Sequence, residues 1–338
     1  MSLNSHRLLL LFPHTTTNYY FDATNGNDNN TGRRYGDAFK TISKLNSLPL
    51  VGDDVVFLKR NETWREMLSP PNHGEGYVKF KAYGDGTNPI ISGSSLAHSM
   101  ILEYPFYSFD NIIFSGATGA SNETVRAFTH DIIFTRCEFR NSGASYGYSS
   151  WSQDGDNVYN VQLIDCIAHD NYRSGAFIGS VSGTYGVRDC LIQGGLYYSN
   201  GHSVDQDHGV YVDFGTTVRG VTAYSNSSAG VKVNCNGVTT SSYFPIIENC
   251  KSYSNYFGYY VGHSDAVFQN NIAYTNSKNS MYFDADAKDS LIYNNTLVNS
   301  TSTGVKFDGL ATGAHNIIKN NIFVEDAIVV DYQYVTEV

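Results

Sequence analysis

Residues Asn200–Gly215, NGHSVDQDHGVYVDFG, put two histidines, three aspartates and a tyrosine into sixteen positions. His202, Asp207, His208 and Tyr211 can each give or take a proton, and general acid–base catalysis needs such groups held around one substrate bond. Asp213 follows two residues beyond Tyr211, and the next stretches of chain add Lys232, Tyr260 and His263. Lys232 is the expected base, because aromatic neighbours would desolvate it and bring its pKa toward neutrality. His208 or Tyr211 is the expected acid, and either could exchange roles with the lysine. Asp205 and Asp207, with Asp154 and Asp156 of WSQDGDN, offer hard oxygen ligands suited to Ca2+. For Asp154 and Asp156 the turn is the favoured reading, since DGDN is made of the residues turns prefer. His202, His208 and His263 invite a zinc reading, which is disfavoured because the sequence does not say that their side chains converge.

The elements that must hold these groups are repeats. FTRCEFRNSGASYGYSS, LIDCIAHDNYRSGAFIG, VRGVTAYSNSSAGVKVN, IENCKSYSNYFGYYVG, FQNNIAYTNSKNSMYFD and IYNNTLVNSTSTGVKFD share one plan: a short strand into Cys or Asn, a small polar turn, then a Gly-led strand. Internal periodicity with two or three strands per repeat and no helical pattern predicts an all-β solenoid, a parallel β-helix. The repeat position is read at Cys137, Cys166, Cys190, Gly220, Cys250, Asn271, Asn295 and Asn321, as an internal ladder of thiols and amides.

Period-2 alternation sends Val210 and Val212 inward and Tyr211 and Asp213 outward. Applied to each repeat, it predicts an exposed ribbon of Tyr148, Phe177, Tyr211, Lys232, Tyr260, Tyr282 and Lys306. Sugar rings have apolar C–H faces and polar edges, so such a ribbon suits a long oligosaccharide, with Asp213 and His263 beside it. The stretch from Cys190 to Tyr211 is longer than its equivalents, and the surplus is the loop quoted above. An insertion confined to one repeat is a common place for function.

Three segments are expected: an extension over 1–18, a cap with the first coils over 19–100, and repeats over 101–338. Phe39, Ile42 and Leu45 predict a short helix lidding the first coil. The net charge of -10, from 22 Lys plus Arg against 32 Asp plus Glu, argues against nucleic acid as a partner. Five cysteines without C-x-x-C spacing imply neither disulfide framework nor zinc site. RLLLLF is too short for an evident signal peptide, and no stretch is long enough for a membrane span. The last repeat, NNIFVEDAIVVDYQYV, lacks a polar cap, which predicts either a continuing chain or a covering homo-oligomer partner.

The run DATNGND, FKTISKLNSL, GDDVVFLKRNETWRE and AYGDGTNPIISG resembles the N-terminal cap of pectate-lyase-like right-handed parallel β-helix proteins. That resemblance implies a polysaccharide partner and an extracellular or phage-associated setting. Aspartates on neighbouring coils beside an outward basic residue resemble the calcium-dependent lyases of this fold. The expected function is therefore a polysaccharide lyase that cleaves a uronic-acid polysaccharide by β-elimination. This reaction needs a neutralised carboxylate, a base for the C5 proton and an acid for the departing oxygen. Two alternatives stand beside it. One is a glycoside hydrolase using two of Asp205, Asp207 and Asp213, although DQDHG and GVKV only distantly echo the paired-aspartate, Gly-His-Gly and Arg-Ile-Lys motifs of polygalacturonase-type enzymes. The other is a non-catalytic glycan-binding or tail-fibre protein.

Overall fold

The computed structural model describes residues 15–117, 123–152, 158–180, 187–204, 206–234, 244–262, 265–284, 287–308, 315–324 and 335–337. The backbone winds through three parallel sheets of thirteen, eleven and nine strands among the described residues. Each strand pairs with its equivalent one coil away. No helix among the described residues is long and apolar enough to cross a membrane.

The corners explain the repeat. Between the thirteen- and eleven-stranded sheets one residue adopts positive φ: Arg136, Asp165, Asn249, Asn270, Asn294 and Asn320 all lie between 50° and 57°. Asn and Asp tolerate this left-handed conformation better than most residues, which is why the corners read Asp-Cys, Asn-Cys and Asn-Asn. The residue after each corner plugs inward. Cys137, Cys166 and Cys250 donate Sγ–H to the carbonyls of Phe109, Phe134 and Val218 on the preceding coil. Asn271, Asn295 and Asn321 donate Nδ2–H to Ile247, Phe268 and Ile292 in the same way. Thiol and amide therefore do one job, satisfying a buried carbonyl. Burial pushes the thiols of Cys166 and Cys250 up to about 12, which leaves them unreactive.

The register corrects two members of this ladder. Ile167 pairs with Leu196 and Leu196 with Thr222, so the slots belong to Gly195 and Val221 rather than Cys190 and Gly220. Cys190 instead opens a strand of the thirteen-stranded sheet opposite Thr216.

A second amide ladder follows the next corner. Asn171, Asn200, Asn226, Asn255 and Asn276 are buried, and each amide passes a hydrogen bond to the next at 2.9–3.3 Å. At the other end of the solenoid, Ile42–Asn46 forms the expected short helix, with Thr41 Oγ1 accepting from Lys44 N–H. Ile42 and Leu45 are fully buried beneath it. The strands Asn18–Phe21 and Val55–Lys59 already belong to the thirteen-stranded sheet, so cap and coils share one core.

Candidate functional site

The nine-stranded sheet carries the predicted ribbon in register. Phe177 lies opposite Tyr211, Tyr211 opposite Lys232, Lys232 opposite Tyr260, Tyr260 opposite Tyr282 and Tyr282 opposite Lys306. Phe177 is buried, and Tyr211, Lys232, Tyr260, Tyr282 and Lys306 are half-buried rather than exposed. Tyr148 is not part of it. Tyr148 pairs with Ala176 and Ser149 with Phe177, so the tyrosine points inward, 0% exposed, against Phe134 and Phe139. A register difference of one residue moves a side chain to the opposite face.

Within this row Lys232 replaces an aromatic ring. Its Nζ lies 5.3 Å from the Tyr211 ring centre and 4.3 Å from that of Tyr260. Tyr211 Oη accepts from Asn234 Nδ2 at 2.8 Å, which leaves the phenol its own hydrogen to give. Burial raises the Tyr211 pKa far above the usual phenol range, so the group stays protonated.

The inserted loop closes over this stretch. Residues 199–209 join Leu196–Tyr198 to Val210–Val212, whereas the next coil crosses the same corner in residues 225–228. Asp207 holds the loop together: its Oδ2 accepts from the N–H groups of His202 at 3.0 Å and Ser203 at 2.8 Å. Gly201, at φ 94°, allows the closure, since a Cβ there would stand 2.3 Å from that of Asp207. His202 stacks on Tyr172 at 3.8 Å and its Nδ1 lies 2.9 Å from Asp207 Oδ2. Both residues are thus engaged in building the loop, and neither lines the cleft described below.

His208 lies beneath the row. It is 0% exposed, its Nδ1 accepts from Ala229 N–H at 3.2 Å, and its ring meets Tyr211 and Tyr260 edge-on at 5.5 and 6.2 Å. Burial, reinforced by the Lys232 charge, drives its pKa well below the usual imidazole value. This corrects the expectation that it serves as acid: a sealed, neutral imidazole cannot reach a substrate, and it supports the two rings instead. Asp213 is buried as well. Its Oδ2 accepts from Ser180 N–H at 2.7 Å while Oδ1 has no partner, and burial pushes the carboxyl up to about 8 against the opposing pull of Ser180 N–H and Lys232. Asp154, Asp156, Asp205 and His263 lie outside the described residues.

A cleft of about 280 Å³ opens between loop and row, lined by Tyr146, Arg173, Gln206, Tyr211 and Lys232. Tyr146 and Arg173 were not anticipated from the sequence. Both stand on turns ahead of their strands, where alternation does not apply. Arg173 could have been found by aligning YRSGAF with QDHGVY, which sets it opposite Asp207 one coil on. Tyr146 stacks on Phe177 at 5.2 Å, and burial raises its phenol although Arg173 pulls the other way. Among the described residues no three His, Cys, Asp or Glu side chains converge to hold a metal ion. Asp207 fits a calcium ligand poorly, because its carboxylate is committed to the loop.

A description of right-handed β-helix regions matches residues 208–336. No curated protein sequence matches the chain. Among solved structures, a GH136 lacto-N-biosidase from Eubacterium ramulus aligns over 95% of this chain and 68% of its own, with 13% identity and a TM-score of 0.73. The A-module of mannuronan C-5 epimerase AlgE4 from Azotobacter vinelandii aligns over 88% and 99%, with 13% identity and a TM-score of 0.57. An alginate lyase from a Paenibacillus species aligns over 88% and 97%, with 13% identity and a TM-score of 0.54. The chain has the right-handed parallel β-helix fold. At such identities the likeness establishes the fold and leaves the chemistry of this β-helix to its own residues.

Proposed function

We propose that this β-helix is a polysaccharide lyase that cleaves an acidic polysaccharide by β-elimination. The observation that carries the reading is the lining of the cleft: two cations, Arg173 and Lys232, two phenols and an amide, with no carboxylate among the described lining residues. Glycoside hydrolysis usually needs two carboxyl groups facing the sugar. Elimination needs a cation to neutralise the uronate, a base and an acid, and Arg173, Lys232 and Tyr211 are suited to those roles.

Arg173 neutralises the carboxylate of the bound uronate, which acidifies the C5 proton. Lys232 takes that proton on its neutral Nζ. Tyr211 gives its phenolic hydrogen to the departing glycosidic oxygen, while the Asn234 amide steadies its oxygen from behind. The ring faces of Tyr211 and Tyr260, 5.3 and 4.3 Å from Lys232 Nζ, hold the lysine side chain in place over the cleft.

Incubation with a panel of uronate-containing polysaccharides tests the reading. An unsaturated, ultraviolet-absorbing product supports it. New reducing ends without that absorbance would establish a hydrolase, and binding without either product would establish a glycan-binding protein. A calcium requirement would rest on Asp154, Asp156 and Asp205, and the same assay with chelator and then added calcium tests it.

A further inference from the structure

Charge is unevenly distributed along the nine-stranded sheet. Coils repeat about every 4.8 Å, close to the advance of one sugar residue along an extended glycan, so a chain lying along the row meets roughly one coil per sugar. At the cleft, Arg173 and Lys232 face solvent beside Asp213, whose carboxyl keeps its proton into the neutral range. Toward the C-terminal coils the row changes character. Tyr260 donates its hydroxyl hydrogen to Asp284 at 2.8 Å, and Tyr282 does the same to Asp308 at 2.6 Å. Lys306 Nζ lies 3.5 Å from Asp308. Lys278 rests over the rings of Tyr256 and Phe257 at 5.0 and 5.4 Å. Two lysines are thus matched there by two aspartates among the described residues, beside the rings of Tyr256, Phe257, Tyr260 and Tyr282.

A neutral sugar suits that second region. Its hydroxyls find carboxylate acceptors, which bind them more strongly than neutral oxygens would, and its C–H face finds tyrosine rings. A uronate at the same place would bring its own charge against Asp284 and Asp308.

We infer that the groove takes a heteropolysaccharide, with one carboxylated sugar in the Arg173–Lys232 cleft and neutral sugars running over Tyr260, Tyr282 and Asp308, rather than a polymer charged at every residue. The inference rests on the reading above for its central subsite, but it concerns binding and can fail separately.

The test uses the Tyr211→Phe protein, in which cleavage is blocked while the ring stays. Calorimetry compares an oligogalacturonate with a gellan-type oligosaccharide of equal length, in which glucuronate is separated by neutral sugars. The mixed oligosaccharide is expected to bind about tenfold more tightly. Asp284→Asn with Asp308→Asn is expected to strengthen oligogalacturonate binding about fivefold and to narrow the gap. Equal or tighter binding of the oligogalacturonate, no binding of either, or a gap unchanged in the double variant would overturn the inference. Unsaturated product from wild type with no preference between the two would break this inference alone. Preference without any unsaturated product would break the lyase reading alone.

Discussion

Two aromatic rows climb this solenoid on different sheets with the same coil spacing, and only one of them makes a site. On the eleven-stranded sheet His169, Tyr198, Tyr224, Tyr253 and Tyr274 stack at 4.7–5.0 Å with their planes within 10° of parallel. Each ring covers the face of the next, so the row shows solvent mainly ring edges. On the nine-stranded sheet Phe177 tilts against Tyr211 at 60°, Lys232 interrupts the rings, and Tyr260 meets Tyr282 at 78°. A row of tyrosines is therefore not in itself a platform for sugar. What opens the second row is a lysine in place of a ring, with an inserted loop set against the gap.

Substitution in each row separates them. Lys232→Ala is expected to lower turnover by about 10²–10⁴-fold while circular dichroism and melting temperature stay close to wild type. Near-normal turnover would remove Lys232 from the chemistry. Asp213→Asn acts on stability instead. The raised carboxyl holds its proton when the unfolded chain has lost it, so its contribution is complete below about pH 4 and is lost as pH rises toward about 8. Replacing it with a neutral amide should remove that slope and stabilise the protein near neutral pH by a few kcal/mol, on the order expected for such a shift. Parallel pH–stability curves for the two proteins would contradict this.

Smaller effects are expected in the stacked row. Tyr224→Ala removes two ring contacts and should cost about 1–3 kcal/mol in denaturant unfolding, with turnover unchanged well below the melting temperature. Tyr224→Lys imitates Lys232 between two rings. It should cost less than the alanine, by about 0.5–1 kcal/mol, because the ammonium recovers part of the ring attraction. Neither should create activity, since that face lacks both loop and Arg173.

Much of the architecture was legible because the corners impose it: a left-handed residue followed by an inward plug yields Asp-Cys and Asn-Asn pairs that anyone can count. Alternation then located Tyr211, Lys232 and Tyr260 on one face. The same rule, carried back two residues from Val210, puts His208 inside with the valines, so its burial was readable in principle. Tyr148 was misplaced because the aromatic was aligned rather than Gly147, which matches Gly175 and sets Ser149, itself buried, in register with Phe177. Arg173 and Tyr146 escaped because turns carry no period. Asp213 is held by Ser180 N–H from the preceding coil, a contact that no linear pattern encodes.

The most direct test of where the chemistry sits is a crystal structure of the Tyr211→Phe protein with a bound uronate-containing oligosaccharide. A competing cleft of about 420 Å³ lies over the first coils, lined by Val51, Gly52, Asp53, His73 and Glu75. The account predicts a uronate carboxylate hydrogen-bonded to Arg173, with the C5 hydrogen facing Lys232 Nζ. A sugar bound at His73, or laid across the stacked tyrosines of the other sheet, would contradict it.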